Sequence, residues 1–337
     1  MENTFLIITS IADQNHHLLK LFAEESLIHN IPFIVIGDTK SPTEFNLTGC
    51  DFYSIERQQR LYFELAKELP FKHYARKNIG YLLAISKGAE VIIETDDDNL
   101  PLDGFWNIRK KQVNAHLLSN RNWINIYKYF TDFQIWPRGF ALENIKDELP
   151  ELEEIKSIDC PIQQGLADGN PDVDAIYRLT LPLPLTFNKA ENIALGLNSF
   201  CPFNSQNTTW FKEAFMLLYL PSYCSFRMTD IWRSFVAQRI AWTCNWPILF
   251  HQSTVFQERN DHNLMSDFRD EISGYNNNAQ IYSRLKSLSL KDGIENIPSN
   301  MLLCYKELIE MNLVKIEELE LLKLWIKDIS LLTFRFK

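Results

Sequence analysis

Short apolar runs alternate with polar segments of helical spacing in the amino-terminal part of the chain. The apolar runs predict strands and the segments between them predict helices. The predicted strands lie at residues 5–8, 32–38, 51–55 and 91–93, and the predicted helices at about 15–28, 56–68 and 78–88. Short strands separated by helices are typical of parallel strands joined by crossover helices. The pattern therefore predicts an α/β fold.

The carboxyl-terminal pattern is mainly helical. Residues 229–242 have helical spacing, and residues 300–332 predict two amphipathic helices. One apolar face of the last helix predicts packing on the chain's own domain, association of two copies as a homodimer, or contact with a membrane surface. The members of this face are Leu319, Leu322, Trp325, Ile326 and Ile329.

Composition narrows the class of protein. The chain has 337 residues, of which 46% are hydrophobic, so it can bury a sizeable core. Its net charge of −9 argues against non-specific binding to nucleic acid, which needs clustered Lys and Arg. Six cysteines without a C-x-x-C pair argue against a zinc ribbon and predict a reducing, cytoplasmic setting. No apolar run reaches the roughly 20 residues of a spanning helix, so any membrane contact is expected to be peripheral.

Three consecutive carboxylates, Asp96, Asp97 and Asp98, follow the fourth predicted strand. The carboxyl end of a parallel strand is where open α/β sheets bind ligands. In an extended segment, Asp96 and Asp98 project to the same side and can hold Mn²⁺ or Mg²⁺ with positions left for a diphosphate. Asp97 is a close rival as a ligand. The spacing predicts a nucleotide-sugar site, because the cation neutralises a leaving nucleoside diphosphate.

Two other interpretations of the acidic cluster stay open. Runs of charge are often only solvated turns. An aspartate after a strand can also be the covalent nucleophile of a phosphatase. The chain has neither a G-x-x-x-x-G-K-[ST] loop nor a G-x-G-x-x-G turn, which are the competing phosphate motifs. The cluster alone therefore does not decide between hydrolysis and transfer.

Several ordered motifs resemble one known family, the STELLO proteins, glycosyltransferases first recognised in plants. The motifs lie at residues 76–82, 88–89, 96–97, 136–140, 163–169, 171–179, 202–208 and 230–234. They span roughly residues 1–270, and no motif in common is found beyond about residue 275. A more distant likeness is to the reversibly glycosylated polypeptides, which include UDP-arabinopyranose mutases.

The resemblance implies a GT-A-type nucleotide-diphospho-sugar transferase fold, which is a Rossmann-like mixed sheet flanked by helices. We expect this domain at residues 1–275 and a helical carboxyl-terminal extension at 276–337. The resemblance also implies a nucleotide-sugar donor, with a uridine nucleotide preferred, and a Mn²⁺ or Mg²⁺ cofactor at the acidic cluster.

Polar side chains in these motifs and at the strand ends supply the candidate nucleotide-sugar-binding residues. Arg76, Asn78 and Arg138 are expected to contact the donor. The alternative for Arg76 and Asn78 is a helix-start cap by the asparagine beside a surface arginine, and the alternative for Arg138 is an ordinary ion pair. Aspartates at 168–174 and amides at 204–206 are expected to bind sugar hydroxyls, with turn formation as the alternative. The full set is Thr9, Asp38, Arg76, Asn78, Asp97, Arg138, Asp168, Asp172, Asp174, Asn204 and Gln206.

Two further residues complete the expected site. Asp230 is the expected catalytic base, because a carboxylate at the head of a helix can deprotonate an acceptor hydroxyl, although it can equally cap that helix. His251 is a third expected metal ligand by likeness to GT-A enzymes, with a structural histidine at a strand end as the alternative.

The expected function is metal-dependent transfer of a sugar from a UDP-sugar to a hydroxyl of a glycan or lipid-linked acceptor. The rivals are a nucleotide-sugar mutase, a protein that glycosylates itself at Arg138, and a non-catalytic scaffold of a glycan-synthesis complex. A ring-isomerised donor formed without acceptor would identify the mutase. Failure to bind UDP with or without Mn²⁺ would favour the scaffold.

Overall fold

The computed structural model describes residues 3–258 and 263–335. Its strands are β1 (Thr4–Thr9), β2 (Phe33–Ile36), β3 (Cys50–Tyr53), β4 (Val91–Thr95), β5 (Asn99–Pro101), β6 (Gln112–Leu118), β7 (Asn122–Trp123), β8 (Ile155–Asp159), β9 (Ile162–Gly169), β10 (Ile193–Leu195), β11 (Ser199–Phe200), β12 (Asn207–Phe211) and β13 (Ile248–Gln257). Its α-helices are α1 (His17–His29), α2 (Ile55–Gln59), α3 (Glu64–Glu68), α4 (Lys77–Ser86), α5 (Ala175–Thr180), α6 (Thr229–Ala241), α7 (Leu264–Ser287), α8 (Ile297–Glu310) and α9 (Glu318–Arg335).

One large mixed sheet organises these elements, in the order β3-β2-β1-β4-β12-β9-β13-β10-β6-β8, with β5 paired to β13. Strands β3, β2, β1 and β4 run parallel. Strand β12 is antiparallel to both of its neighbours, β4 and β9. Helices pack on both faces of the sheet. The predicted α/β class, with a mixed sheet flanked by helices, is confirmed.

The predicted helix at 56–68 is wrong as a continuous element, because the chain forms the two short helices α2 and α3 there. Ser54 caps the first of them, accepting a hydrogen bond from the backbone N–H of Arg57. Phe63 has extended backbone before α3, and its ring is buried in the core. Burial of this ring stabilises the break, since a fully buried aromatic side chain contributes about 2 kcal/mol.

Helix α4 packs directly on the sheet at Gly80. A Cβ atom at this position would lie 2.5 Å from Cγ2 of Ile7 on β1, closer than real Cβ contacts allow. The missing side chain lets α4 approach β1 and β2 directly. The amino-terminal end of α4, with Arg76 and Lys77, is thereby brought to the carboxyl ends of the parallel strands.

Helix α9 completes the core of the parallel half of the sheet. Leu322, Trp325 and Ile329 are at most 2% exposed. The Trp325 indole N–H donates to the carbonyl of Met216 at 2.9 Å. These three members of the predicted apolar face are therefore buried within the chain, as packing on its own domain requires, whereas Leu319 and Ile326 are only partly buried. Association of two copies and contact with a membrane surface stay predictions.

Helix α7 runs from Leu264 to Ser287. It continues without a break through residues 275 and 276, the predicted boundary between the domain and its helical extension. Helices α8 and α9 belong to the same hydrophobic cluster as α4 and α6. The division into a domain and an extension stays a prediction. Among the helices in the described ranges, none combines the length and the apolar character needed to cross a bilayer.

Candidate active site

Two adjoining cavities open at the carboxyl ends of β1, β2 and β4, the edge where parallel sheets bind ligands. The first cavity has a volume of about 350 Å³ and the second a volume of about 240 Å³. Four residues line both cavities, namely Thr9, Tyr74, Asp97 and Phe226. A ligand that extends from one cavity into the other would therefore pass Asp97.

The first cavity has an aromatic wall and an acidic floor. The ring of Phe226, which is 48% exposed, lies 5.1 Å from the ring of His73 and 4.9 Å from the ring of Tyr74. Burial lowers the pKa of His73 to about 4, so its imidazole is neutral at pH 7. The Asp38 carboxylate accepts hydrogen bonds from the backbone N–H groups of Thr39 at 2.6 Å and His73 at 3.0 Å.

Arg76 lines the first cavity, but its hydrogen bonds go to the protein. Its guanidinium donates to Oε1 of Gln58 at 2.8 and 2.6 Å and to the carbonyl of Leu69 at 2.9 Å. The residue is only 1% exposed. These bonds fix the loop before α4, so Arg76 shapes the cavity wall as well as adding positive charge to it.

The three aspartates of the acidic cluster line the second cavity, and each has a different partner. Lys77 donates to Oδ1 of Asp96 at 2.9 Å, and the Ser10 hydroxyl donates to Oδ2 of Asp97 at 2.5 Å. The Gln257 amide donates to Oδ2 of Asp98 at 3.2 Å. The partners come from α4, the end of β1 and the end of β13, so three separate elements orient the cluster.

The cluster is not extended, as the sequence argument assumed. The chain turns at Asp97 and Asp98, and the N–H of Asn99 donates to the carbonyl of Asp96 at 3.3 Å. Alternation of side chains along a strand therefore does not apply here, and the prediction that Asp96 and Asp98 project to the same side of an extended segment is wrong. All three carboxylates reach the same cavity, and only Asp97 reaches both cavities.

The second cavity carries an excess of negative charge. Burial, together with the charge of Asp98, raises the pKa of Asp96 to about 6 although Lys77 lowers it. Five carboxylates and three guanidinium groups line the cavity, namely Asp96, Asp97, Asp98, Asp172, Asp230, Arg138, Arg178 and Arg227. Because like charges repel, this excess disfavours the entry of an anionic group that brings no compensating cation.

Arg138 lies between two of these carboxylates and is 6% exposed. Its Nε and Nη2 donate to the two oxygens of Asp172 at 2.8 and 2.9 Å. Its Nη1 and Nη2 each donate to Asp230 at 3.1 Å. Asn204 adds a hydrogen bond from its amide to Asp172 at 2.9 Å. Burial lowers the pKa of Arg138, but the two carboxylates raise it well above its usual range, so this side chain is charged and a poor nucleophile.

Asp230 is surrounded by donors. Besides Arg138, its carboxylate accepts from the Tyr74 hydroxyl at 3.1 Å and from the N–H of Ser205 at 3.2 Å. Burial raises its pKa, but the charge and hydrogen bonds of Arg138 outweigh burial and hold the pKa well below its usual range. Such a carboxylate is ionised at pH 7 and is a weak proton acceptor. Its role as the catalytic base stays a prediction.

Replacing Asp230 by Asn should lower the free energy of unfolding by about 2 kcal/mol at pH 7, because charge-assisted hydrogen bonds to Arg138 are lost. A carboxylate whose pKa is lowered by folding stabilises the folded state at any pH above its unfolded-state pKa of about 4. This contribution to stability is lost progressively as the pH falls below that value. The difference between wild type and Asp230→Asn should therefore shrink below about pH 4. Urea unfolding from pH 7 to pH 3 measures it, and a difference independent of pH would contradict it.

Three expected donor-binding residues lie elsewhere in the fold. The Asn78 amide, fully buried, is bonded to the N–H and carbonyl of Leu220 at 2.9 and 2.8 Å. Oδ1 of Asp168 accepts from the Phe187 N–H and the Ser253 hydroxyl. Asp174 caps α5 and accepts from the Trp136 indole at 2.6 Å. These side chains hold the fold together and line neither cavity. Asn204, whose amide donates to Asp172, also lines neither cavity, whereas Gln206 lines the second.

His251 is not brought to the acidic cluster. It lies on β13 and lines a separate cavity of about 660 Å³ with Arg109 and Gln252. Its Nδ1 lies 2.9 Å from the carbonyl of Gln252. Within residues 3–258 and 263–335, no group of three His, Cys, Asp or Glu side chains is arranged to hold a metal ion. The cluster can therefore supply two carboxylate ligands to a cation, but not a complete shell.

The sequence interpretation missed several residues of the site, among them Ser10, Tyr74, Lys77, Phe226 and Gln257. Ser10 and Lys77 are adjacent to the predicted residues Thr9 and Arg76, and their positions next to the strand ends were a usable signal. Tyr74 and Phe226 had no such signal. They meet across the cavities because the turn before α6 packs on the turn before α4, a contact between distant parts of the chain.

Comparison with known proteins identifies relatives of this chain. The family model described as STELLO glycosyltransferases matches residues 227–337. The chain is 31% identical over 243 residues to the Arabidopsis thaliana protein "Probable glycosyltransferase STELLO2", a match that covers 66% of this chain and 32% of the relative. It is also 31% identical over 230 residues to "Probable glycosyltransferase STELLO1" of the same plant, covering 62% of this chain and 30% of that protein.

One solved structure, a crystal structure of a mycobacterial protein, is similar over 83% of this chain and 75% of its own, with 9% identity and a TM-score of 0.44. The chain spans about a third of the length of the two plant relatives. The family match also extends past residue 275, where the sequence analysis found no common motif. The resemblance to the STELLO glycosyltransferase family, which the sequence motifs predicted, is confirmed by these matches.

Proposed function

We propose that this chain is a cation-dependent glycosyltransferase that takes its sugar from a UDP-sugar and transfers it to a hydroxyl group of a glycan or lipid-linked acceptor. The observation that carries the proposal is the pair of cavities at the carboxyl ends of the parallel strands, with Asp97 at their junction. The likeness to named glycosyltransferases supports the same reaction class.

The two cavities suit the two ends of such a donor. The first offers an exposed aromatic ring, Phe226, for a base to lie against, and the Asp38 carboxylate as an acceptor for a base N–H or a ribose hydroxyl. The second offers the polar side chains of Gln206 and Asp172 to sugar hydroxyls. The diphosphate would then lie at Asp97, between the two.

The carboxylate oxygens of the acidic cluster are suitable ligands for Mn²⁺ or Mg²⁺. Hard cations of this kind prefer carboxylate oxygens, and Mg²⁺ is commonly held by one or two carboxylates plus substrate phosphates. Two aspartates of the cluster would bind the cation, and the diphosphate would complete its shell. When bound, the cation would neutralise the charge that develops on the leaving diphosphate. The protein's own part is to orient the carboxylates through Lys77, Ser10 and Gln257.

All six cysteines are free thiols, and three of them are fully buried. Burial raises the pKa of Cys160, Cys201 and Cys304 to about 12, so these thiols are unreactive near neutral pH. Free thiols suit a reducing compartment. They support the cytoplasmic location that we propose for this chain.

Calorimetry with UDP, GDP, CDP and dTDP, each with and without Mn²⁺, tests the proposal. We expect UDP to bind most tightly and only with Mn²⁺, because the excess negative charge of the second cavity opposes a bare diphosphate. If none of the four nucleotides binds under either condition, the proposal is wrong. Product analysis with UDP-sugars and no acceptor then separates hydrolysis of the donor from its ring isomerisation.

A further inference from the structure

We propose that Lys77 is a positioning residue that restrains Asp96 and sets how strongly the acidic cluster attracts a divalent cation. The inference rests on the proposed function and assigns a role to a residue that does not itself line either cavity. Its basis is the ion pair between the buried Lys77 ammonium and Asp96 at 2.9 Å. The Asp97 carboxylate, by comparison, is oriented by the neutral hydroxyl of Ser10.

The geometry fixes the Lys77 ammonium in place. Its side chain is 0% exposed, while the side chain of Asp96 is 39% exposed. Nζ donates to Oδ1 of Asp96 at 2.9 Å, to the carbonyl of Thr95 at 3.0 Å and to the carbonyl of Ser205 at 3.5 Å. Three acceptors satisfy the three N–H bonds of an ammonium group. The charge therefore cannot move into solvent, and it cannot follow a ligand.

The position of Lys77 at the start of its helix is unfavourable for a cation. Lys77 is the first residue of α4, where the helix dipole favours negative charge and disfavours a cation. The first turn of α4 holds no acidic residue. A lysine at this position is therefore held by its acceptors at the end of β4, not by its own helix.

The consequence is electrostatic. Lys77 occupies one oxygen of Asp96 and offsets one of the five negative charges that line the second cavity. Without it, Asp96 would be available to the cation, and the site would attract a cation more strongly and repel a bare diphosphate more strongly. Lys77 thus keeps cation binding dependent on the diphosphate that arrives with it.

The experiment compares wild type with Lys77→Met, Asp96→Asn and the double variant. Binding of Mn²⁺ alone is measured by calorimetry at low ionic strength, and binding of UDP alone is measured in the same buffer. The matched control is Lys87→Met, which breaks the 2.7 Å pair of Lys87 with Asp51 at the other end of α4. Circular dichroism confirms that each variant is folded.

We expect Lys77→Met to bind Mn²⁺ about tenfold more tightly than wild type, and Asp96→Asn about tenfold more weakly. The double variant, which restores the balance of charge, should return close to wild type, and Lys87→Met should change nothing. UDP without metal should bind Lys77→Met more weakly than wild type. Equal Mn²⁺ affinity of Lys77→Met and wild type would overturn the proposal.

If Lys77→Met does not fold, the double variant still tests the proposal. A merely structural lysine would leave the double variant with the weak Mn²⁺ affinity of Asp96→Asn, and this result would also overturn the proposal. If wild type binds no UDP with or without Mn²⁺, the proposed function fails. The order of Mn²⁺ affinities still decides the role of Lys77 in that case.

Discussion

Replacing Asp97 and Asp98 together by Asn should raise the Kd of UDP in the presence of Mn²⁺ by about a hundredfold or more. Asp97 is the carboxylate that lines both cavities, and Asp98 lines the second beside it. Both would lose the charge that a hard cation needs, whereas Asn keeps the size and much of the hydrogen bonding. Calorimetry with UDP at saturating Mn²⁺ measures the change.

The matched control for this variant replaces Asp103 and Asp132, which are both exposed and line neither cavity. It removes the same two negative charges from the chain, so it corrects for the change in net charge. Affinity for UDP with Mn²⁺ should be unchanged in the control. An Asp97 and Asp98 variant that is folded and binds UDP with Mn²⁺ as wild type does would refute the cation site.

Replacing Arg233 by Met should lower the free energy of unfolding by about 4 kcal/mol, because it leaves a buried carboxylate without its counter-ion. Glu94 is 0% exposed and pairs with Arg233 through contacts of 2.8 and 3.0 Å. The Trp210 indole donates to the same carboxylate at 2.8 Å, and the Tyr81 hydroxyl donates to it as well. Urea unfolding at pH 7 measures the loss.

A second ion pair supplies the control for Arg233. Arg57 lies 3.0 Å from Asp51, but both side chains are substantially exposed, at 49% and 36%. Arg57→Met should cost less than about 1 kcal/mol, because solvent screens exposed pairs. Replacing Glu94 by Gln in the Arg233→Met background should recover part of the loss. Equal costs for Arg233→Met and Arg57→Met would show that the buried pair is not a main support of the fold.

Local patterns were sufficient to predict the half of the fold that holds the acidic cluster. Apolar runs and turn residues placed the strands now seen as β1, β2, β3 and β4 close to their observed limits. Gly88, the predicted end of a helix, follows α4 with a φ of +82°, a conformation that suits glycine. The location of Asp96–Asp98 at a strand end followed from this local pattern.

Contacts between distant segments could not be predicted in the same way. Strand β12 is inserted antiparallel between β4 and β9, and no local pattern distinguishes such an order from others. Asp172 lines the second cavity while Asp174, two residues later, caps a helix, because the chain turns between them. The sequence predicted that both aspartates bind sugar hydroxyls, because both are polar residues in the same loop. The two hydrogen bonds between Asn78 and Leu220 are likewise long-range contacts, which form only in the folded chain.

The packing of α9 against the first half of the sheet has a consequence for synthesis of the chain on the ribosome. Asp328 of α9 accepts hydrogen bonds from the N–H groups of Glu64 and Leu65 at the start of α3, and Trp325 packs beside Tyr81 of α4. Early elements therefore expose apolar surface until α9 has emerged from the exit tunnel. Nascent chains with such surface are prone to aggregation. This protein should reach its native state only after translation of α9, and chaperones that shield apolar segments should bind it during elongation.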